Sequence, residues 1–297
     1  HLRRCILAGS PLPGPDELAT SDTLEASALQ ALDELAPLRL ACILHADDPV
    51  LLSSSFGSAQ KSLDVLAKWA YKYKGSPHTG SGKSVVMVCG PPDAGISAAS
   101  LPPLKIALVG QPSVPVMIAS EHTWLGLMWS EMLNLLVAFS ARSQSASGKF
   151  SLLVGLVASS TIPLALGLQI FEACVDGAMR FGRWLYGVDK RIRDQLDSLY
   201  ITWGEALLGA DTWRNWAVSF GSLGWRLTGG AQAVVDIAMH RARLWELSDQ
   251  DLYKRIFVAA HGYSDATWAA KSIRALQEWG IQDWPAWASP DVSLEDY

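Results

Sequence analysis

Two apolar runs enclose a pair of carboxylates in the stretch LRLACILHADDPVLL, residues 38–52. Aliphatic residues, then turn formers, then more aliphatic residues are typical of a β-hairpin, so the stretch predicts two antiparallel strands with Asp47 and Asp48 at an exposed turn. Adjacent carboxylates repel each other unless a cation is bound, and Mg²⁺ prefers hard oxygen ligands. An isolated Asp-Asp pair is more often a solvated turn. The residues that follow decide between these interpretations.

Three further segments follow the hairpin. QKSLDVLAKWAY at residues 60–71 has the spacing of an amphipathic helix, GKSVVMVCG at 82–90 places a lysine before a short apolar strand, and TWLGL lies at 123–127. In this order the segments resemble the palm of reverse transcriptases of the non-LTR (LINE-like) retrotransposon family. That family has an aromatic-Ala-Asp-Asp hairpin, a Leu-x-x-Leu-x-x-Trp helix, a Lys-Ser/Thr before a strand and a Tyr-Leu-Gly-like segment. The resemblance extends to about Trp287 and implies a C-terminal palm and thumb fragment.

The resemblance implies an RNA-directed DNA polymerase that uses two metal ions, Mg²⁺ or Mn²⁺, for nucleotidyl transfer. Asp47 would be the principal metal ligand and Asp48 its weaker neighbour. Lys83 matches a lysine that can protonate the leaving pyrophosphate, although a solvated lysine at a strand end is an equally good interpretation. The implied partners are an RNA template, a DNA primer and the remainder of a parent polyprotein, in the cytoplasm or nucleus.

Three departures from the family pattern bear on activity. His45 replaces the usual Tyr or Phe, and Pro49 follows the carboxylates and removes one backbone donor. The third is the family's partner aspartate on an earlier palm strand, which has no evident counterpart in the 44 residues before His45. We therefore expect this chain alone not to polymerise. The alternative hypothesis is a non-catalytic helical interaction module that retains a relic palm hairpin.

Composition limits the class of protein. The 297 residues are 49% hydrophobic and 18% charged, which predicts a sizeable core. The net charge of −5 argues against a protein whose binding to nucleic acid is driven by its overall charge. The four cysteines are far apart and form no Cys-x-x-Cys, so neither a zinc site nor a disulfide framework is indicated, and an intracellular compartment fits. They are Cys5, Cys42, Cys89 and Cys174.

One uncharged segment, from Phe150 to Phe171, is long enough to span a bilayer. Within it, SSTIP at residues 159–163 combines a helix stop, a cap and a proline. We therefore predict two packed helices that meet at this break, and no membrane partner.

The order of elements predicts an α+β protein. A small antiparallel palm sheet would be covered by a helix over 58–73, which buries Leu63, Leu66 and Ala70 and leaves Lys61, Asp64 and Lys68 in water. Further strands are expected at 85–89, 104–109 and 114–119. The expected domains are a loop-rich remnant at 1–37, a partial palm at 38–128, a helical thumb and C-terminal region at 129–284 and a tail at 285–297.

Residues after Trp124 are helical by pattern almost to the end. Helices are predicted at 129–147, 151–159, 163–186, 190–208, 231–247, 249–260 and 266–279, with the repeated tryptophans packing between them.

A basic cluster of five residues on two of these helices is the candidate for contact with nucleic-acid phosphates. Asp176, Asp189 and Asp194 beside it also fit a solvated, charge-balanced face. Its members are Arg180, Arg183, Lys190, Arg191 and Arg193.

Overall fold

The computed structural model divides into two compact units, with a boundary between Asn134 and Leu135. The described part of the first unit contains short strands and one long helix, and the described part of the second is helical. This is the α+β class predicted from the sequence. The structure describes residues 42–45, 48–53, 55–75, 77–78, 83–89, 103–107, 112–209, 215–263 and 265–281.

The predicted hairpin is present. Strand β1 (Cys42–His45) runs antiparallel to β2 (Asp48–Leu51), with pairs from Cys42↔Leu51 to His45↔Asp48. The connection is two residues long. Asp47 lies in it, outside the described residues, whereas Asp48 is already the first residue of β2 and not part of a longer turn.

The other described strands pair two by two and do not form the single antiparallel sheet that the sequence predicted. One of these pairs is parallel, which a hairpin cannot produce; here a long connection joins its two strands. The pairs are β3 (Val85–Val86) with β6 (Met117–Ile118), in parallel, and β4 (Lys105–Ile106) with β5 (Val114–Pro115) and β7 (Glu121–Trp124) with β8 (Leu127–Ser130), both antiparallel.

The β7–β8 hairpin corrects the prediction that a helix begins at Trp129, because that residue lies in β8. Its turn residues Leu125 and Gly126 both have positive φ, of 49° and 73°. Two positive φ values in a two-residue loop match the twist of the flanking strands. Leu125 carries the strain of this conformation, since only glycine adopts it freely.

Helix α1 (Phe56–Lys72) begins with a capping box in which the Ser55 hydroxyl accepts a bond from the Ser58 N–H and the Ser58 hydroxyl accepts one from the Ser55 N–H. Of the residues predicted on its inner face, Ala70 is buried, whereas Leu63 and Leu66 are only half-buried. Ala67, which was not predicted there, is also buried.

On the outer side of α1, Lys61 and Lys68 are exposed as predicted, but Asp64 is half-buried and accepts a 2.9 Å bond from Gln60 Nε2. The Gln60 amide also bonds both backbone groups of Lys105, donating to its carbonyl at 2.7 Å and accepting from its N–H at 2.9 Å. This side chain therefore fastens β4 to α1.

The second unit is a set of helices. Those predicted at 190–208, 231–247, 249–260 and 266–279 are present within a few residues, and the helix Trp216–Leu223 was not predicted. The break at 159–163 is confirmed between α2 and α3, while the two helices predicted before it are one. No helix among the described residues is both long and apolar enough to cross a membrane. The helices are α2 (Leu135–Ala158), α3 (Leu164–Ile170), α4 (Gly177–Arg180), α5 (Arg183–Tyr186), α6 (Lys190–Leu207), α7 (Trp216–Leu223), α8 (Gly229–Trp245), α9 (Leu252–Tyr263) and α10 (Trp268–Gln277).

The single helix predicted over 163–186 is wrong. A π-helical segment, Phe171–Asp176, separates α3 from α4, and Gly182 at φ 78° ends the run before α5. Such segments carry one residue more per turn than an α-helix and often lie at functional sites.

An aromatic core holds the second unit together. Phe171 stacks on Trp225 at 4.7 Å between ring centroids, and Phe150 stacks on Trp203 at 5.4 Å. Tyr200 contacts both Phe171 and Trp203. The predicted packing role is therefore confirmed for Trp203 and Trp225.

Helices α6 and α8 approach most closely at Gly229. A Cβ there would lie 2.7 Å from both the Leu196 carbonyl oxygen and the Tyr200 ring. The next residue, Gly230, donates its N–H to Asp197 Oδ1 at 2.6 Å. The absence of side chains is therefore what lets α8 begin against α6.

We predict that Gly229→Ala lowers the free energy of unfolding by about 1–3 kcal/mol, because an added methyl group forces the two helices apart. The matched control is Gly148→Ala in α2, where a Cβ meets nothing within 4 Å and helix propensity favours alanine by about 1 kcal/mol. Urea unfolding measures both. Equal effects of the two substitutions would contradict the close approach.

Candidate functional site

The hairpin residues that resemble the polymerase motif are only partly placed by the structure. Asp48 opens β2 opposite His45, Asp47 lies outside the described residues, and Lys83 is exposed two residues before β3. Adjacent carboxylates supply the hard oxygen donors that Mg²⁺ prefers. Within the described ranges no group of three or more His, Cys, Asp or Glu could hold a metal ion.

The predicted basic cluster separates into two groups. Arg180, Lys190 and Arg191 are exposed, and each is paired with a neighbouring aspartate at 2.6–3.0 Å. Those aspartates are the three named from the sequence. The pairs Lys190–Asp194 and Arg191–Asp189 form a charge-balanced, solvated face, whereas the side chain of Asp176 is only 6% exposed. The Arg191 guanidinium holds the pKa of the Asp189 carboxyl below its usual range.

The other two cations of the cluster are internal, which the sequence did not predict. The side chains of Arg183 and Arg193 are 3% and 4% exposed. Arg193 Nη1 donates to the carbonyls of Gly187 and Val188 at 2.7 and 3.1 Å, and Nη2 bonds Glu278. Both side chains hold helices together in this structure and neither presents its charge to solvent.

Arg183 is the centre of a buried polar network. Its Nε donates to Asp236 at 2.6 Å, and its Nη1 lies 3.0 Å from Asp176, 3.2 Å from the Tyr200 hydroxyl and 2.8 Å from the Gln232 carbonyl oxygen. The Tyr200 hydroxyl also donates to Asp176. One cation therefore ties the π-helical segment, α5, α6 and α8 together.

The electrostatics of the network fix its protonation. Burial opposes the charge on Arg183, but Tyr200, Asp236 and Asp176 outweigh it and raise the pKa of the guanidinium. Burial, reinforced by the Asp176 charge, raises the pKa of the Tyr200 phenol. The guanidinium of Arg183 therefore stays charged and the phenol of Tyr200 stays neutral near neutral pH, which fits a structural role for these two side chains.

A pocket of about 420 Å³ opens beside this network. The π-helical segment contributes Phe171, Glu172 and Asp176 to its lining, and Trp225 adds an aromatic wall. The charged groups of the lining cancel, because Arg180, Arg183 and Arg226 face an equal number of carboxylates: Glu172, Asp176 and Asp236. The lining therefore gives no preference for a strongly anionic or strongly cationic ligand.

We predict that Arg183→Met destabilises the second unit by about 3–5 kcal/mol, because it leaves Asp176 and Asp236 without their buried counter-charge. Lys190→Met is the matched control. Its side chain is 65% exposed and that of its partner Asp194 is 61% exposed, so its loss should cost about 0–1 kcal/mol. Urea unfolding of the two variants measures the loss in the free energy of unfolding. Equal losses would contradict the network.

A second polar cluster lies on α8, and no histidine spacing in the sequence indicated it. His240 stacks on Trp184 with 3.7 Å between ring centroids and an interplanar angle of 15°. Burial, with help from Arg243, lowers the pKa of His240 to about 4. The neighbouring Arg241 donates to Ser272 Oγ at 2.6 Å, and its pKa is lowered to about 9 by burial.

His240 should make stability fall as the pH falls. In the unfolded chain it gains a proton below its ordinary pKa of 6.5, but in the fold only below about 4. Between these values protonation favours the unfolded state. We predict that His240→Phe, which keeps a stacking ring, shows a smaller loss of urea midpoint between pH 7 and pH 4 than the wild type. An unchanged pH dependence would contradict this.

Comparisons with known proteins add no assignment. No family model, curated protein or solved structure matches this chain. Its function is therefore argued from its own residues.

Proposed function

We propose that this chain is the C-terminal palm and thumb portion of an RNA-directed DNA polymerase of the non-LTR retrotransposon kind. The observation that carries the proposal is the β1–β2 hairpin, whose two-residue connection holds Asp47 in the sequence HADD and which is followed directly by α1. Lys83 and strand β3 come next, in the order that the family resemblance requires.

Within this proposal Asp47 binds the catalytic metal and Asp48 assists it, and Lys83 donates a proton to the leaving pyrophosphate. A bound Mg²⁺ or Mn²⁺ would stabilise the charge that develops on the attacking and leaving oxygens. The partners are an RNA template and a DNA primer, in the cytoplasm or nucleus. Of the basic cluster, the exposed Arg180, Lys190 and Arg191 are the members that can reach a phosphate.

Pro49 is compatible with the hairpin. In a hairpin closed by two residues, the pair next to the loop exchanges hydrogen bonds and the following pair does not. Leu44↔Pro49 is that following pair. The missing N–H of Pro49 therefore removes no bond between β1 and β2, and this departure from the family pattern does not by itself argue for a damaged motif.

The alternative, a non-catalytic helical interaction module with a relic palm hairpin, is favoured by one observation. Among the cations predicted to grip a nucleic-acid backbone, two are internal and the other three are neutralised by aspartates. A helical unit with this charge arrangement is suited to packing and not to electrostatic attraction of a duplex.

Metal binding separates the two proposals. If the hairpin is a polymerase motif, the chain should bind Mn²⁺, and Asp47→Ala should weaken that binding by about tenfold or more, with a smaller effect for Asp48→Ala. Electron paramagnetic resonance of free Mn²⁺ during titration measures the affinity.

The control is Asp249→Ala, which removes an exposed carboxylate from the helical unit. It should leave Mn²⁺ binding unchanged. Mn²⁺ binding that Asp47→Ala does not alter would exclude the polymerase proposal and leave the interaction module.

A further inference from the structure

The outer face of α1 carries a row of exposed residues that neither the hairpin nor the helical unit explains. We call this row the lysine–aromatic stripe. The residues recur at steps of three and four, so they share one face, and all are exposed. They are Lys61, Val65, Lys68, Trp69, Lys72 and Tyr73.

The aromatic residues of the stripe are unusually accessible. Trp69 is 53% exposed and Tyr73 is 62% exposed, and their ring centroids lie 5.2 Å apart. Large aromatic side chains contribute most to stability when they are buried. Here the buried face of α1, with Ala67 and Ala70, lies on the opposite side, so the two rings are not held outward by core packing.

The charge of the stripe opposes that of the whole chain. Residues 56–74 contain four lysines and one aspartate, a local charge of +3 in a chain of net charge −5. That aspartate, Asp64, is bonded to Gln60. Among the described residues no carboxylate pairs with any of these lysines, whereas the exposed cations Arg180, Lys190 and Arg191 of the helical unit all have aspartate partners.

A helix dipole explains part of this pattern, because lysines near a helix C-terminus are stabilising. It does not explain aromatic rings placed among the lysines on the exposed side. Lys72 Nζ lies 5.6 Å from the centre of the Tyr73 ring, so charge and aromatic surface are adjacent. A partner that offers both negative charge and flat apolar faces satisfies both features.

We propose that the lysine–aromatic stripe binds single-stranded nucleic acid, with bases stacked on Trp69 and Tyr73 and phosphates near Lys61, Lys68 and Lys72. Proteins that bind single strands without sequence preference combine these two kinds of contact. Because each base has a stacking face, the site should accept RNA and DNA alike. The proposal goes beyond the polymerase hairpin and does not depend on metal binding there.

The test is fluorescence anisotropy of a labelled oligothymidine of about 12 nucleotides with the whole chain at low ionic strength. The variant Trp69→Ala/Tyr73→Ala should bind about 5- to 100-fold more weakly, and Trp69→Phe/Tyr73→Phe should restore most of the affinity. Lys68→Gln/Lys72→Gln should also weaken binding. The logarithm of the affinity should fall against the logarithm of the salt concentration with a slope of about −2.

Two controls match these changes. Trp279→Ala removes a ring that is about as exposed as Trp69, and Lys149→Gln removes an exposed lysine from α2. Both should bind the oligonucleotide as the wild type does. The oligonucleotide titration is made without Mn²⁺, so failure of this proposal is distinguishable from failure of the polymerase proposal.

Two outcomes would overturn the inference. Oligonucleotide binding that is absent, or unchanged in Trp69→Ala/Tyr73→Ala, would exclude a stacking site. If the chain also binds polyglutamate, and Trp69→Ala/Tyr73→Ala weakens that binding as strongly as it weakens oligonucleotide binding, the stripe is a surface for an acidic protein.

Discussion

The helical unit depends on the buried guanidinium of Arg183. An uncompensated charge in a protein interior is so costly that it must be surrounded by acceptors from several elements. Here the acceptors come from the π-helical segment, α6 and α8, which are far apart in the sequence. Satisfying one cation therefore fixes how these helices approach, and the aromatic core around Phe171 and Trp225 fills the space beside them.

The parts of the fold that the sequence predicted are those set by local patterns. The hairpin around Asp47 and helices α1, α6 and α8 follow from aliphatic runs and helical spacing. The parts that it did not predict depend on distant partners. The parallel pairing of β3 with β6 joins residues about thirty positions apart, and no local pattern encodes such a contact.

The candidate site shows the same division. The acidic turn of the hairpin could be predicted from the local pattern and Lys83 could be named from the family resemblance, whereas the burial of Arg183 and Arg193 could not be predicted, because arginine is usually exposed and its average behaviour favours a surface position. The stripe on α1 was likewise visible only as one side of an amphipathic helix. Its meaning depends on exposure and on the neighbouring rings, which are properties of the folded chain.

The π-helical segment has a consequence for how this chain tolerates changes in length. A π turn holds one residue more than an α turn, and one residue corresponds to about 100° of helix rotation. The π-helical segment therefore holds one residue more than an α-helix needs for the same rotation, so losing one residue between Phe171 and Asp176 would restore an ordinary α turn and keep the direction of α4. The same deletion in α6, between Arg193 and Tyr200, would rotate the Tyr200 hydroxyl by about 100° away from Arg183, so in a family of such chains differences in length would be tolerated in the π-helical segment and not in α6.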